Sequence, residues 1–106
     1  DNSFKYVLEN SPVSSRLSGL FVMSVEHTPD LDQRLEITIE LSRGRTPSVT
    51  LNRTITKLLV NKLCQINTEY AKLYSSIGRR AIPKIKLVRY GKIYTIPGKK
   101  HKWVKK

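Results

Sequence analysis

Cysteine is nearly absent from this chain of 106 residues, in which Cys64 is the only thiol. One cysteine excludes an internal disulfide and a cysteine-based zinc site, so we expect a reducing, cytoplasmic setting. Long apolar runs are absent as well, since nothing approaches the ~18 residues that span a membrane. The first residues lack the basic and then apolar pattern of a secretory signal. We therefore expect neither a membrane segment nor secretion.

The sequence contains few of the residue combinations that are typical of catalytic sites. His27 and His101 stand far apart in the sequence, and no nucleophile-elbow glycine pattern accompanies a serine. Asp30 and Asp32 lie in a turn-rich segment, where carboxylates form turns far more often than metal sites. A chain of this length forms one domain, residues 1–106, with too little surface to enclose a deep substrate cleft. The sequence predicts no metal site and no complete active site.

Acidic residues disappear after Glu69. Residues 1–50 carry five basic and seven acidic side chains, whereas residues 51–106 carry fifteen basic side chains and one acidic one. From Arg79 to the last residue there are eleven basic side chains and no acid. Basic side chains at this density either face an anionic partner or spread over a solvent-exposed surface, which limits their mutual repulsion. Phosphate is the commonest partner of this kind, in nucleic acid, in a nucleotide or in coenzyme A.

Two β-strands are predicted in the first half. Residues 20–27 form a β-rich run that ends in turn formers, and residues 34–41 alternate between apolar and polar side chains. About six turn-rich residues separate the two runs, which indicates an antiparallel hairpin. A short helix is predicted before them, ending near Ser11-Pro12 because proline cannot continue it.

The spacing of apolar residues changes to three and four in the second half. This spacing predicts one amphipathic helix over residues 51–77, roughly 40 Å long at about 1.5 Å per residue. Thr50 is its predicted N-cap, and Gly78 is predicted to lie just past its end.

The C-terminal third is predicted to be extended. Ile85 and Leu87 indicate a third strand after a proline, and residues 93–96 indicate a short extended piece that ends at Pro97-Gly98. A helix laid on a small sheet buries the apolar faces of both. We therefore predict an α+β fold with a small, mostly antiparallel three-stranded sheet. A long amphipathic helix packs on that sheet, and a short lid hairpin lies near the C-terminus.

Two glycine turns carry basic side chains. Arg89 and Lys92 flank the first turn, and Lys99 and Lys100 follow Gly98 in the second. Glycine lets the backbone and an ammonium group approach an anionic oxygen together. A solvated basic terminus explains the same residues equally well, because a Gly-Lys pair is a weak signal.

Basic residues beside aromatic ones allow another interpretation. Lysines contact phosphates while aromatic rings stack on bases in single-strand-binding modules. No helix-turn-helix, zinc-finger or RNP pattern is present, so charge and aromatic content alone support this interpretation. An anchoring role as buried apolar area is the stronger expectation for the tryptophan. The pairs concerned are Arg89-Tyr90, Lys92 with Tyr94, and Lys102-Trp103.

A series of segments follows residue 50: the helix with Asn67-Thr68-Glu69-Tyr70, the segment 82–88, Tyr90-Gly91, and Ile96-Pro97-Gly98-Lys99-Lys100-His101-Lys102-Trp103-Val104. The series resembles the C-terminal domain of phenylacetate–coenzyme A ligase-like proteins, in the superfamily of acyl-CoA synthetases, luciferases and nonribosomal-peptide adenylation domains. In that family a lid strand ends in Gly-Lys, with a basic residue three positions later, and Gly98-Lys99 with Lys102 fits this spacing. The features around Tyr70 and Gly91 are also similar to those of auxin-conjugating acyl-amido synthetases.

The resemblance implies a role for Lys99. In the family this lysine stabilises the carboxylate, the ATP phosphates and the pentavalent phosphorus while the acyl-adenylate forms. Alignment on Lys-His instead of Gly-Lys selects Lys100. The side chains then expected to bind phosphate or coenzyme A are Arg89, Lys92, His101 and Lys102.

The resemblance further implies that the chain is a lid-type domain of a larger ATP-dependent acid–coenzyme A ligase. ATP and coenzyme A are the expected cofactors, and a carboxylic acid is the expected substrate. Magnesium is expected to be held by a large N-terminal adenylation domain of the same polypeptide. The isolated chain is then inactive, because the large domain supplies the nucleotide pocket. The alternative function is a small basic RNA- or DNA-binding module.

Overall fold

The computed structural model describes residues 2–27 and 33–102. Within them lie three α-helices and four strands, in the order α1 (Asn2–Glu9), β1 (Leu17–His27), β2 (Gln33–Leu41), α2 (Val49–Ile66), α3 (Thr68–Ile77), β3 (Lys84–Val88) and β4 (Lys100–Lys102). Short 3-10 helices occur at Ser14–Arg16, Gly78–Ala81 and Lys92–Thr95. The predicted turn formers Asp30 and Asp32, the anchoring role of Trp103 and the side chain of His27 all lie outside the described residues.

The sheet of the described residues is mixed, with the strand order β3-β2-β1-β4. Strand β1 pairs antiparallel with both β2 and β4, whereas β2 pairs parallel with β3. The α+β class and the hairpin of β1 and β2 are therefore confirmed. The prediction of a three-stranded sheet is wrong because residues 100–102 add a fourth strand. The parallel pairing of β3 follows from the helices before it, which carry the chain back over the sheet.

The predicted single helix over residues 51–77 is two helices. Asn67 interrupts it with an extended backbone, φ −131° and ψ 105°. Its backbone N–H donates to the carbonyl of Leu63 at the end of α2, and its side-chain oxygen accepts from the N–H of Tyr70 at 3.1 Å. Asparagine is a preferred N-cap because its side chain satisfies an amide that the first helical turn leaves unbonded. The same residue thus ends α2 and begins α3.

Both ends of the helical region are fixed by local chemistry. Ser48, rather than the predicted Thr50, caps α2, and its hydroxyl oxygen accepts from the N–H of Leu51 at 3.0 Å. Gly78 ends α3 with φ +59°, a backbone conformation that favours glycine. The hydroxyl of Tyr70 donates to the carbonyl of Ala81 at 2.9 Å, which holds α3 against the 3-10 helix that precedes β3. Burial, with Cys64 and Tyr74 nearby, raises the pKa of Tyr70 to about 12, so this donor stays protonated.

Both faces of the sheet are covered. One face packs against α1 and α2 and forms the main core with Phe4, Val7, Leu8, Val13, Leu17, Phe21, Ile37, Ile39, Leu41, Leu51, Ile55, Leu59, Leu63 and Ile85. The alternate residues of the strands, Val22, Thr38 and Glu40, are also buried. Since successive side chains of a strand point to opposite faces, these residues belong to the second face. The connection between β3 and β4 covers them and carries the residues predicted to be functional.

Candidate functional site

The connection from β3 to β4 crosses the second face of the sheet, and we call residues 89–99 the strap. It starts at one edge of the sheet and ends at the other, because β3 and β4 are the outermost strands. The predicted lid hairpin is therefore absent, and residues 92–95 form a 3-10 helix where an extended piece was expected. Ile93 has no exposed surface and is covered against β1 and β2. This burial explains the helical turn, which directs Ile93 toward the sheet.

A buried carboxylate holds the beginning of the strap. Glu40 of β2 is only 1% exposed, and its Oε2 accepts from the backbone N–H of Gly91 at 2.8 Å. Gly91 has φ +88°, in the left-handed region. Next to it, the guanidinium carbon of Arg43 lies 5.0 Å from the centroid of the Tyr90 ring, within the range of a cation–π contact. Sequence reasoning missed Glu40 and Arg43, since alternation along β2 only placed Glu40 on the face opposite the apolar residues.

A close backbone approach holds the end of the strap. Gly98 has φ +114°, and a Cβ at this position stands 3.0 Å from Cγ1 of Val22. Both the dihedral angle and the space therefore require glycine. The predicted Gly-Lys pair has a structural reason in this chain: Gly98 lets the strap lie against β1 immediately before Lys99.

The two lysines after Gly98 have different surroundings. The Lys100 ammonium donates to the carbonyl oxygens of Ile96 and Gly98, so its charge stabilises the turn that precedes it. Lys99 is exposed, and its side chain has no hydrogen bond or ion pair with any residue that the structure describes. Of the two predicted registers, Lys99 is the one whose charge faces solvent and is available to an anion.

His101 lies on the side of the sheet that carries the main core and is partly buried. It pairs with Phe21 across β1 and β4, and the two rings stack with centroids 5.1 Å apart. Burial lowers the pKa of His101, and the charges of Lys5 and Lys99 lower it further. A neutral, stacked imidazole is a weak partner for phosphate at neutral pH. The position of His101 indicates that it anchors β4 to the sheet.

The remaining predicted residues do not form one cluster. Arg89 and Lys92 are exposed at the start of the strap, beside β3, whereas Lys102 is exposed at the end of β4. Three interstrand spacings of about 4.8 Å place the edges of the sheet about 14 Å apart. The site therefore has two basic groups: Lys99 with Lys102 at the β4 edge, and Arg89 with Lys92 at the β3 edge.

The described residues place no group of three His, Cys, Asp or Glu side chains where they could hold a metal ion. None of their helices is both long enough and apolar enough to cross a bilayer. Neither protein-family models nor curated proteins give a match to this chain.

Proposed function

We propose that the chain is the C-terminal lid-type domain of an ATP-dependent acyl-adenylate-forming ligase of the carboxylic acid–coenzyme A ligase type. The observation that carries this proposal is the contrast between Lys99 and Lys100. The strap and β4 place Lys99 at the surface without an ion pair to any described residue, while the Lys100 ammonium donates to carbonyls within the turn. A positive charge that can approach the phosphates is what adenylyl transfer needs, because negative charge develops on phosphate oxygens in the transition state.

The other basic residues form two groups, and each group suits a different ligand. Lys102 is exposed at the end of β4, the strand that follows Lys99, and adds positive charge for the phosphates of ATP. Arg89 and Lys92 lie at the other edge of the sheet and are suited to the phosphates of coenzyme A. The nucleotide pocket and the magnesium ion belong to the large N-terminal domain of the proposed enzyme. The purified chain of 106 residues is therefore expected to show no ATP–pyrophosphate exchange with any carboxylic acid.

The test replaces Lys99 by alanine in the polypeptide that contains the large domain. Lys99→Ala is expected to lower acyl-adenylate formation by about 10²–10³-fold, the scale for removal of one preorganised stabilising group. Stability is expected to stay within about 0.5 kcal/mol of the wild type, because the side chain is exposed. Thioester formation from a pre-made acyl-adenylate is expected to continue, since that step does not need this charge in the same place.

The matched control is Lys100→Ala, which removes the neighbouring charge. We expect it to loosen the turn at Gly98 and lower stability, with a smaller effect on adenylation than Lys99→Ala. Adenylation at the wild-type rate in both variants contradicts the assignment of Lys99 and leaves the tail as a solvated basic end.

A second candidate function is a small basic nucleic-acid-binding module, and one observation favours it. The strap exposes two tyrosines around Lys92: Tyr94 is 70% exposed and Tyr90 is 50% exposed. Exposed rings beside cations can stack on unpaired bases, each worth about 1–3 kcal/mol. Tight binding to one RNA or DNA sequence at physiological salt, lost in Tyr94→Ala, supports this function. Weak, sequence-blind binding that fades with salt supports the ligase domain instead.

A further inference from the structure

The outer edge of β3 borders an open groove. The groove has a volume of about 630 Å³ and lies between β3 and the first turn of α2. It contains none of the residues of the candidate site, being lined by Pro47, Ser48, Val49, Asn52, Arg53, Ile85, Lys86, Leu87 and Val88. In the sheet of the described residues β3 pairs with β2 alone, so its other edge faces this groove.

The backbone of β3 offers the groove more donors than acceptors. The Asn52 side-chain amide donates to the carbonyl of Ile85 at 2.8 Å, which places the backbone groups of Ile85 on the outer edge. Since backbone direction alternates along a strand, those of Leu87 lie on the same edge. The carbonyl of Ile85 is already used by Asn52, and the carbonyl of Arg89 accepts from Lys92 at 3.0 Å. The N–H groups of Ile85 and Leu87 therefore outnumber the carbonyls that remain for a ligand.

Both charged residues that line the groove are basic, and Val49, Ile85 and Leu87 give it apolar surface. Arg53 and Lys86 are exposed, and Lys86 Nζ forms a salt bridge with Glu36 Oε1 at 3.2 Å. Val49 is 68% exposed, and Leu87 is half-buried. A second copy of the chain is disfavoured as the occupant. Pairing of two β3 edges brings lysines against lysines, and each chain carries a net charge of +12.

We propose that this groove binds an extended acidic segment of a partner protein, which adds to β3 as a further strand. On the side of the sheet that carries α2, apolar side chains of the segment pack on Val49 and Leu87, and a carboxylate further along the same side faces Arg53. The alternate side chains of the segment point to the opposite side, where carboxylates face Lys86. Main-chain hydrogen bonds to Ile85 and Leu87 hold the segment, while the basic rim selects its charge. The proposal is independent of the chemistry at Lys99.

The test is an NMR titration of the isotopically labelled chain with a synthetic peptide in which valine alternates with glutamate in the middle and consecutive glutamates stand at both ends, so that carboxylates lie on both sides of the strand. We expect shifts concentrated at the amides of Ile85 and Leu87 and in the first turn of α2. A peptide of alternating lysine and valine is expected to produce none of them. N-methylation of the central residues of the acidic peptide is expected to abolish binding, because it removes the donor to the carbonyl of Leu87 and places methyl groups against the edge of β3.

Charge reversal identifies the groove. Arg53→Glu is expected to weaken binding by about three- to tenfold, the scale for losing and reversing one exposed ion pair. The matched control is Lys57→Glu, which makes the same change at an exposed position one turn further along α2, outside the groove lining. Equal weakening by both variants, or undiminished binding of the methylated peptide, overturns strand addition and leaves a non-specific attraction between opposite charges. Association of the chain with itself through β3, seen by sedimentation, overturns the assignment of an acidic partner.

Discussion

At the scale of single residues, two adjacent lysines show that a sequence motif does not decide which of its side chains is functional. Lys99 and Lys100 have the same chemistry and follow the same glycine, so their order in a motif does not rank them. The carbonyl oxygens of Ile96 and Gly98 make the distinction, since they accept hydrogen bonds from Lys100 and leave Lys99 at the surface. That difference depends on the path of the strap, which no local pattern specifies.

Gly98→Ala is expected to destabilise the chain by about 1–3 kcal/mol, because it combines a disfavoured dihedral angle with a close contact. Denaturant unfolding measures the loss. Gly44→Ala serves as the control, since Gly44 also has a positive φ, +83°, but its added Cβ meets nothing within 4 Å. We expect Gly44→Ala to lose about 1 kcal/mol, from the dihedral angle alone. Gly98→Ala is expected to cost less in a Val22→Ala background than in the wild type, and equal losses in the two glycine variants contradict the close contact.

His101 gives the chain a pH dependence of stability. Its pKa is lowered in the folded state, so folding favours the neutral ring. The resulting stability is present above the unfolded-state pKa of about 6.5 and is lost as the pH falls through the lowered folded-state pKa. Unfolding midpoints measured at mildly acidic and at neutral pH are expected to show this loss. His101→Phe is expected to keep the stack on Phe21 and remove this component, while His27→Gln reports the contribution of the other histidine.

At the scale of secondary-structure elements, the sequence predicted the elements that neighbouring residues determine. It did not predict those that depend on contacts with distant residues. Strict alternation was enough for β2 and its hairpin with β1, because each strand needs only its own pattern to show a buried face. The break at Asn67 was not predicted because apolar residues recur at spacings of three and four on both sides of it. The path of the strap was not predicted because a run such as Ile93–Ile96 favours extended structure, while burial of Ile93 against the sheet requires a turn.

Asn67→Ala is expected to lower stability by about 0.5–2 kcal/mol, the usual cost of losing an N-cap side chain. Asn67→Asp retains the acceptor for the N–H of Tyr70 and is expected to stay close to the wild type. Chemical unfolding followed by circular dichroism measures both the stability and the helix content. If Asn67→Ala is as stable as the wild type, the cap does not maintain the break, and α2 and α3 are set apart by packing alone.

At the scale of the whole molecule, the candidate site was only partly predictable. The sequence identified the basic residues and the glycine turns that present them, since charge and glycine are visible in any register. It grouped Arg89, Lys92, His101 and Lys102 as one set of phosphate ligands, whereas the fold separates them. Two lie at one edge of the sheet, one ends the strand at the other edge, and His101 stacks on Phe21. Parallel pairing of β3 causes this separation, and pairing between distant segments leaves no local signature.

The strap is attached to the sheet at three places: the carboxylate of Glu40, the buried side chain of Ile93 and the close approach of Gly98 to Val22. A segment held in this way has little freedom to swing on its own, so Lys99 keeps a constant position relative to β1 and β2. If Lys99 enters the cleft of a larger neighbour and later withdraws, the whole domain has to turn to carry it there and back. Its entry is then governed by a hinge outside the strap rather than by the mobility of the strap.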